Sequence, residues 1–248
     1  FKGDRPVCPR CGARFDSLGG IPDFVGERDR SVGLAQNLME TSLYARWYGF
    51  FRPVLTRLVS PRSLHEEYAL STRLLRLEPN SEVLDVGCGD GNFTREFARH
   101  LRALDPDHTG LVLGLDLSRS MLQEALEVQP RDSAVHYVRA DATSMPLSNN
   151  TFDRLHCAGS LHLMNDVART LKNFARVLRP GGILVIGTFL LGDGLVRPLA
   201  KRLGGWVSRF HWFTRAELER LLDESGFDLE ETSVAGDAIS LRARRRAS

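Results

Sequence analysis

A set of glycines beside an aspartate is the first place in this chain where residue types and spacing could do chemistry. Asp85 lies in a short apolar run and is followed by Gly87, Cys88, Gly89 and Gly91. Glycine lets a backbone approach a ligand closely. A dinucleotide-binding fingerprint would be spaced Gly-x-Gly-x-x-Gly, and a pyrophosphate beside Asp85 would meet like charge. A ligand with an ammonium group would instead gain a charge-assisted hydrogen bond, so the pattern favours such a ligand.

A second aspartate, Asp116, ends the next apolar run, within 114–118. An ionised carboxylate only accepts hydrogen bonds, so Asp116 is suited to two neighbouring ribose hydroxyls. The alternative is a simple helix cap, because aspartate is common before a helix. The preceding strand and glycine loop favour the ligand over the cap.

The elements that position these residues alternate between strand-like and helical patterns from residue 82 onward. Predicted helices surround Phe93, Met121, Val167 and the Thr214–Glu217 pair, which has the spacing of a capping box. The predicted strands are 82–86, 111–115, 135–138, 152–157, 183–188, 227–234 and 238–242.

This alternation predicts an α/β fold, Rossmann-like, with a seven-stranded, mostly parallel sheet flanked by helices. We expect a small Cys-containing N-terminal segment over 1–30, a helical cap or lid over 31–78, and the main domain over 79–248. The aromatic stretch within 44–51 is interpreted as packing of the cap, although some of its rings could face a ligand.

In the order and spacing of the glycine loop, Asp116 and the Arg139–Ala142 segment, the chain resembles the class I S-adenosylmethionine-dependent methyltransferases, type 11 branch, over about 82–227. The resemblance implies that S-adenosylmethionine is the cofactor, with its methionyl part on the loop, its ammonium near Asp85 and its ribose on Asp116. The further cofactor-binding residues that the resemblance implies are Gly87, Cys88, Gly89, Leu117, Met121, Asp141 and Ala142.

Two histidines are candidates for the reacting end. A hydroxyl or amine acceptor must lose a proton, which makes a nearby histidine useful. His162 follows the fourth predicted strand, and we weigh a catalytic and a positional role for it equally. His211 lies in the insertion after the fifth strand, where it could shape the acceptor pocket or anchor the loop.

Cys8 and Cys11 have the two-residue spacing of a zinc knuckle, but one knuckle supplies two of the four ligands of a structural zinc. The segment from Cys8 to Phe24 resembles the second half of a zinc module found ahead of bacterial 23S ribosomal RNA guanine-N1 methyltransferases. We therefore expect zinc only if a second cysteine pair precedes residue 1.

Composition favours a small partner. The net charge of +2 gives no chain-wide field for nucleic acid or an anionic membrane. No apolar run approaches a bilayer span, so we expect a cytoplasmic protein without a membrane partner. The basic cluster 242–246 is interpreted as a solvated tail.

The leading hypothesis is a methyltransferase acting on a small molecule, in bacterial secondary metabolism. Ribosomal RNA methylation is the alternative that the half zinc module suggests. A third hypothesis is a cyclase that keeps the cofactor fold without transferring methyl. The acceptor atom and the oligomeric state stay open.

Overall fold

The computed structural model describes residues 12, 14–25, 62–107, 110–129, 134–190 and 211–247. Its helices are α1 (Leu64–Leu75), α2 (Asn92–Leu104), α3 (Arg119–Glu127), α4 (Val167–Val177) and α5 (Arg215–Glu224). Its strands are β1 (Asp16–Leu18), β2 (Ile21–Asp23), β3 (Val83–Val86), β4 (Val112–Asp116), β5 (Val135–Arg139), β6 (Phe152–Ala158), β7 (Leu178–Phe189), β8 (Phe227–Ala235) and β9 (Ala238–Arg245).

The strands form one sheet in the order β1-β2-β5-β4-β3-β6-β7-β9-β8. Strands β5, β4, β3, β6 and β7 are mutually parallel, so their carboxyl ends lie at one edge. Strand β9 runs antiparallel between β7 and β8. Loops at the carboxyl edge of such a sheet are where ligands bind.

The α/β class and all seven predicted strands are confirmed, but the predicted strand number is wrong, because the described sheet has nine strands. The additional two come from the N-terminal segment. Strand β2 pairs with β5 in parallel at Asp23 and Arg139, and β1 covers β2 in an antiparallel hairpin. Leu18 and Ile21 are buried in this hairpin, which covers an edge of the sheet that β5 would otherwise expose.

Both faces of the sheet are covered, as continuously buried strands such as β3 require. On one face, helices α1, α2 and α3 contribute Leu74, Phe97 and Leu122. On the other, helices α4 and α5 contribute Phe174 and Leu222. The result is a three-layer sandwich that holds the strand ends in place.

Helix α1 is the described part of the segment that was predicted to form a cap over 31–78. It begins with a capping box in which Ser63 and Glu66 bond reciprocally, and Leu74 and Leu75 are fully buried against the sheet. The aromatic residues within 44–51 lie outside the described residues. Within the described ranges, none of the helices has the length and apolar character of a bilayer span.

The basic cluster near the C-terminus is not a solvated tail as predicted. Arg242 lies in β9 with 5% of its surface exposed, and it forms ion pairs with Glu230 and Glu231 of the neighbouring strand. The burial of Arg242 could not be predicted from the sequence, because its acidic partners lie on a different strand and face it only through strand pairing.

Candidate functional site

The glycine loop follows β3 at the carboxyl edge of the sheet. The N–H groups of Gly87 and Cys88 both donate to the carbonyl of Leu115 at the end of β4, at 2.7 and 3.1 Å. Gly87 has φ +69°, and a methyl group there would lie 2.2 Å from Oγ of Ser160. The sequence therefore needs glycine at this position both for backbone conformation and for the close approach of Ser160.

Asp116 joins the two loops that the sequence predicted to meet at the ligand. One carboxylate oxygen accepts from the N–H of Gly89 and the other from the N–H of Ser118, each at 2.8 Å. Burial raises the pKa of the Asp116 carboxyl, and the hydrogen bonds from Ser118 and Gly89 oppose that rise. The structure thus brings Asp116 onto the glycine loop, rather than leaving it as the simple cap of the helix that follows.

Asp85 has both carboxylate oxygens engaged by protein groups. The hydroxyl of Thr94 donates to one oxygen at 2.6 Å, and Nδ1 of His156 lies 2.8 Å from the other. The far ring nitrogen of His156 lies 3.3 Å from Oγ of Ser71 in α1. Asp85 is 2% exposed, so it places a carboxyl beneath the loop and not on its surface.

The other residues predicted to line the cofactor site around the loop are close to it in space. The methyl carbon of Met121 lies 3.0 Å from where a side chain at Gly89 would begin. Cys88 is buried, and burial raises the pKa of its thiol well above the usual range. Leu117 is half-buried immediately after Asp116. Because it is buried, the thiol of Cys88 is a packing group here and not a nucleophile.

Asp141 and Ala142 lie at the carboxyl end of β5, at the same edge. The N–H of Ala140 donates to the carbonyl of Asp116 at 3.0 Å, which ties this loop to the previous one. Asp141 accepts from the N–H of Thr143 at 2.7 Å and caps the short 3-10 turn Ala142–Ser144. The predicted adenine-side residues are thus held next to the predicted ribose-side residue.

His162 lies in the short 3-10 turn Leu161–Leu163 that follows β6. Its ring is 4% exposed and packs edge-on against Phe189, with ring centroids 5.1 Å apart. Burial lowers the pKa of His162 to about 4. At neutral pH the ring is therefore uncharged and a weak base.

His211 is beside His162 but in a different environment. The main-chain N–H of His211 donates to the carbonyl of His162 at 2.9 Å. The side chain is 43% exposed, and its Nε2 lies 2.8 Å from a carboxylate oxygen of Glu217. The structure therefore brings both candidate histidines together at the edge of β6 and β7.

Glu217 departs from the capping box that its spacing predicted. Its N–H donates to Oγ1 of Thr214, as expected for the first residues of α5. Its carboxylate, however, contacts His211. An imidazole whose Nε2–H is held by a carboxylate presents Nδ1 as the basic nitrogen, so the pair has the composition of a general base and its orienting group.

The predicted metal ligands Cys8 and Cys11 lie outside the described residues. Among the residues that the structure describes, there is no group of three or more His, Cys, Asp or Glu side chains arranged to hold a metal ion. Zinc binding by the N-terminal segment stays a prediction.

Sequence reasoning missed several residues that complete the site. Ser160, Thr94 and His156 contact the loop or Asp85, and Glu217 contacts His211. Only Glu217 carried a signal, its spacing from Thr214, and that signal also fits a helix cap. The other contacts arise from strand register: His156 lies beside Asp85 because β6 pairs with β3 at those two residues.

Comparison with known proteins identifies the family. Residues 84–186 match the family described as "Methyltransferase domain". The chain is 30% identical to an O-methyltransferase of Aspergillus nomiae over 168 residues, covering 65% of this chain and 70% of that protein. This chain belongs to the class I S-adenosylmethionine-dependent methyltransferases.

Two further similarities agree with this family. An O-methyltransferase of Pyrenophora dematioidea is 32% identical over 163 residues, covering 63% of this chain and 58% of that protein. An S-adenosylmethionine-dependent methyltransferase from Mesorhizobium loti superimposes with a TM-score of 0.57 at 25% identity, over 72% of this chain and 97% of that one. The chain spans 41% to 58% of the length of several of its curated relatives.

Proposed function

We propose that this protein transfers a methyl group from S-adenosylmethionine to a hydroxyl oxygen of a small molecule. The observation that carries the proposal is Asp116, whose carboxylate is bound by one amide from each of two loops at the carboxyl edge of the sheet. Two similar proteins are named O-methyltransferases, which supports oxygen as the acceptor atom. Bacterial secondary metabolism is the setting that we favour.

The residues present fit a nucleoside cofactor with an amino-acid tail. A carboxylate has about four lone-pair sites, and two of those on Asp116 accept backbone amides, which leaves two for the two ribose hydroxyls. Leu117, Asp141 and Ala142 would hold the adenine. The glycine loop would hold the methionyl part, with Asp85 acting on the ammonium through its charge from beneath the loop.

When bound, S-adenosylmethionine would supply a methyl group on a sulfonium; on transfer, the methyl carbon–sulfur bond breaks and its electron pair stays on sulfur as a neutral thioether. The protein has to orient the acceptor, exclude water and take the hydroxyl proton. We assign the proton to Nδ1 of His211, with Glu217 holding Nε2. His162, which is buried and uncharged, would serve as a positioning residue.

The first experiment is calorimetric titration of the folded protein with S-adenosylmethionine and S-adenosylhomocysteine. Micromolar binding is expected, and absence of binding to folded protein would overturn the proposal. A second assay follows S-adenosylhomocysteine release with a panel of phenols and alcohols. A cyclase would convert its substrate without releasing S-adenosylhomocysteine, which separates the two activities.

Ribosomal RNA methylation is the second candidate, favoured by the cysteine pair of the N-terminal segment. Neutralisation of several phosphates makes RNA affinity fall steeply as salt rises. Weak RNA binding that does not depend on salt would therefore count against this candidate and in favour of a small acceptor.

A further inference from the structure

The N-terminal hairpin β1–β2 is part of the sheet, although it lies outside residues 84–186 that match the methyltransferase domain. Ile21 is 2% exposed, and the ring of Phe24 packs against the core on the other face. The N–H of Phe24 donates to the carbonyl of Arg139 at 2.9 Å. The hairpin therefore has a fixed position beside the end of β5.

A buried ion pair joins the hairpin to β5. A carboxylate oxygen of Asp23 lies 3.0 Å from Nη1 of Arg139, and the two side chains are 10% and 11% exposed. The other oxygen of Asp23 accepts from the N–H of Val25 at 2.9 Å. A buried charge is costly without its partner, so Asp23 and Arg139 fix one another's position.

Arg139 continues this connection into the candidate cofactor site. Its Nε donates to the carbonyl of Leu117 at 2.9 Å. Leu117 lies between Asp116 and Ser118, the residue whose N–H donates to the Asp116 carboxylate. The orientation of the Leu117 carbonyl sets the orientation of the following N–H, because the two belong to one planar peptide group.

We propose that Asp23 is a positioning residue of the cofactor site. It orients Arg139, which fixes the Leu117–Ser118 peptide and with it the ribose-binding carboxylate. This inference rests on the proposed function, since it assumes that the nucleoside binds at Asp116. It gives the N-terminal segment a role in cofactor binding that does not require a metal.

A second buried arginine provides a matched control. Arg154 in β6 is 8% exposed, against 9% for Arg139. Its Nε donates to the carbonyl of Arg76 at 3.1 Å, and its Nη1 lies 3.2 Å from Asp153. It therefore makes the same kinds of contact, but it lies at the amino end of its strand, opposite the edge with the site.

The test measures S-adenosylhomocysteine affinity by calorimetry and the unfolding temperature without ligand, on the full chain. Asp23→Asn and Arg139→Gln are expected to weaken binding about tenfold, which is about 1.4 kcal/mol. Arg139→Lys keeps the charge opposite Asp23 but removes Nε–H, so it should weaken binding as much. Arg154→Gln should lower the unfolding temperature and leave the affinity within about twofold.

Each outcome decides the matter. Unchanged affinity in folded Asp23→Asn or in Arg139→Lys, or an equal loss in Arg154→Gln, overturns the positioning role while wild-type binding still supports the proposed function. If Asp23→Asn does not fold, Asp23→Glu takes its place, because it keeps the charge but displaces the carboxylate from Arg139, and unchanged affinity in that variant overturns the role of Asp23. The same loss is expected for 5′-methylthioadenosine, which has the nucleoside without the amino-acid tail, and a loss confined to S-adenosylhomocysteine would contradict the proposal.

Discussion

The substitution Asp116→Asn isolates the interaction on which the proposed cofactor site depends. In the wild type the two oxygens accept the N–H groups of Gly89 and Ser118 at 2.8 Å, and their remaining lone pairs face the ribose in our proposal. Asparagine is the same size but has one oxygen, and its NH2 group would face one of the two N–H donors. The variant therefore loses an acceptor on the loop and an acceptor for a hydroxyl.

The magnitude follows from the hydrogen bonds that are lost. A hydrogen bond to a charged group contributes about 1.5–3 kcal/mol. Losing one to the ribose, together with part of the loop geometry, should weaken S-adenosylhomocysteine binding by about 2–3 kcal/mol, or roughly 30- to 150-fold. Because burial raises the pKa of Asp116, wild-type affinity should also fall on acidification at a higher pH than an exposed aspartate would cause.

Calorimetric titration of wild type, Asp116→Asn and Asp153→Asn tests this reasoning. Asp153 is a matched control because burial also raises its pKa and it accepts the N–H of Glu82 at 3.1 Å, but it lies at the amino edge of the sheet. Its variant should bind S-adenosylhomocysteine as the wild type does. An affinity loss below about threefold in Asp116→Asn, or an equal loss in the control, would refute the ribose assignment.

His162→Gln should remove about 3 kcal/mol of the unfolding free energy that the wild type loses on acidification, because between pH 6.5 and about 4 the unfolded histidine binds a proton that the folded one does not. Chemical denaturation across that pH range measures the difference. Gly87→Ala should abolish S-adenosylhomocysteine binding. Adding Ser160→Gly leaves the nearest atom of residue 160 at 3.9 Å from the new Cβ, so it should restore part of the binding, with about 1–2 kcal/mol of backbone strain remaining. Glu217→Gln should slow transfer to a hydroxyl acceptor about 10- to 100-fold, because it removes the negative charge beside the His211 ring that takes the proton, with cofactor affinity unchanged in calorimetry.

Controls separate these effects from loss of structure. Thr214→Ala removes the N-cap of α5 at a cost of about 1 kcal/mol in unfolding free energy but leaves the carboxylate on the imidazole, so its transfer rate should stay at the wild-type value. An equal rate loss in this variant would assign the effect of Glu217→Gln to helix stability. For His162→Gln, a pH profile of stability parallel to that of the wild type would contradict the buried, uncharged ring.

The fold was largely predictable because its signals are local. The central strands β3 and β4 and the second half of β7 are apolar runs, although β7 begins at Leu178 and so includes the Pro-Gly-Gly sequence at 180–182 that was expected to separate it from α4. The hairpin β1–β2 escaped prediction because each of its strands has three residues, too few for a periodicity. Its place in the sheet depends on pairing with β5, more than a hundred residues later along the chain.

The residues of the candidate site were predictable, but their contacts were not. Sequence order indicates which side chains follow strands and therefore share an edge. It does not indicate which of two carboxylates accepts loop amides and which is enclosed. Asp85 lies inside β3 opposite Gly114, whereas Asp116 is the last residue of β4. Asp116 bonds outward to Gly89 and Ser118, and Asp85 bonds inward to Thr94 and His156.

This difference between the two aspartates also constrains how the cofactor would be recognised. Because both oxygens of Asp85 are hydrogen-bonded inside the core, its side chain cannot reorient toward a ligand, so Asp85 contributes a fixed charge and a rigid support for the loop. Asp116 still has lone pairs for the ribose, and its position depends on Ser118 and, through Leu117, on Arg139 and Asp23. The nucleoside end of the site is therefore the end that substitutions in the N-terminal hairpin should change, and the amino-acid end should respond to substitutions around His156.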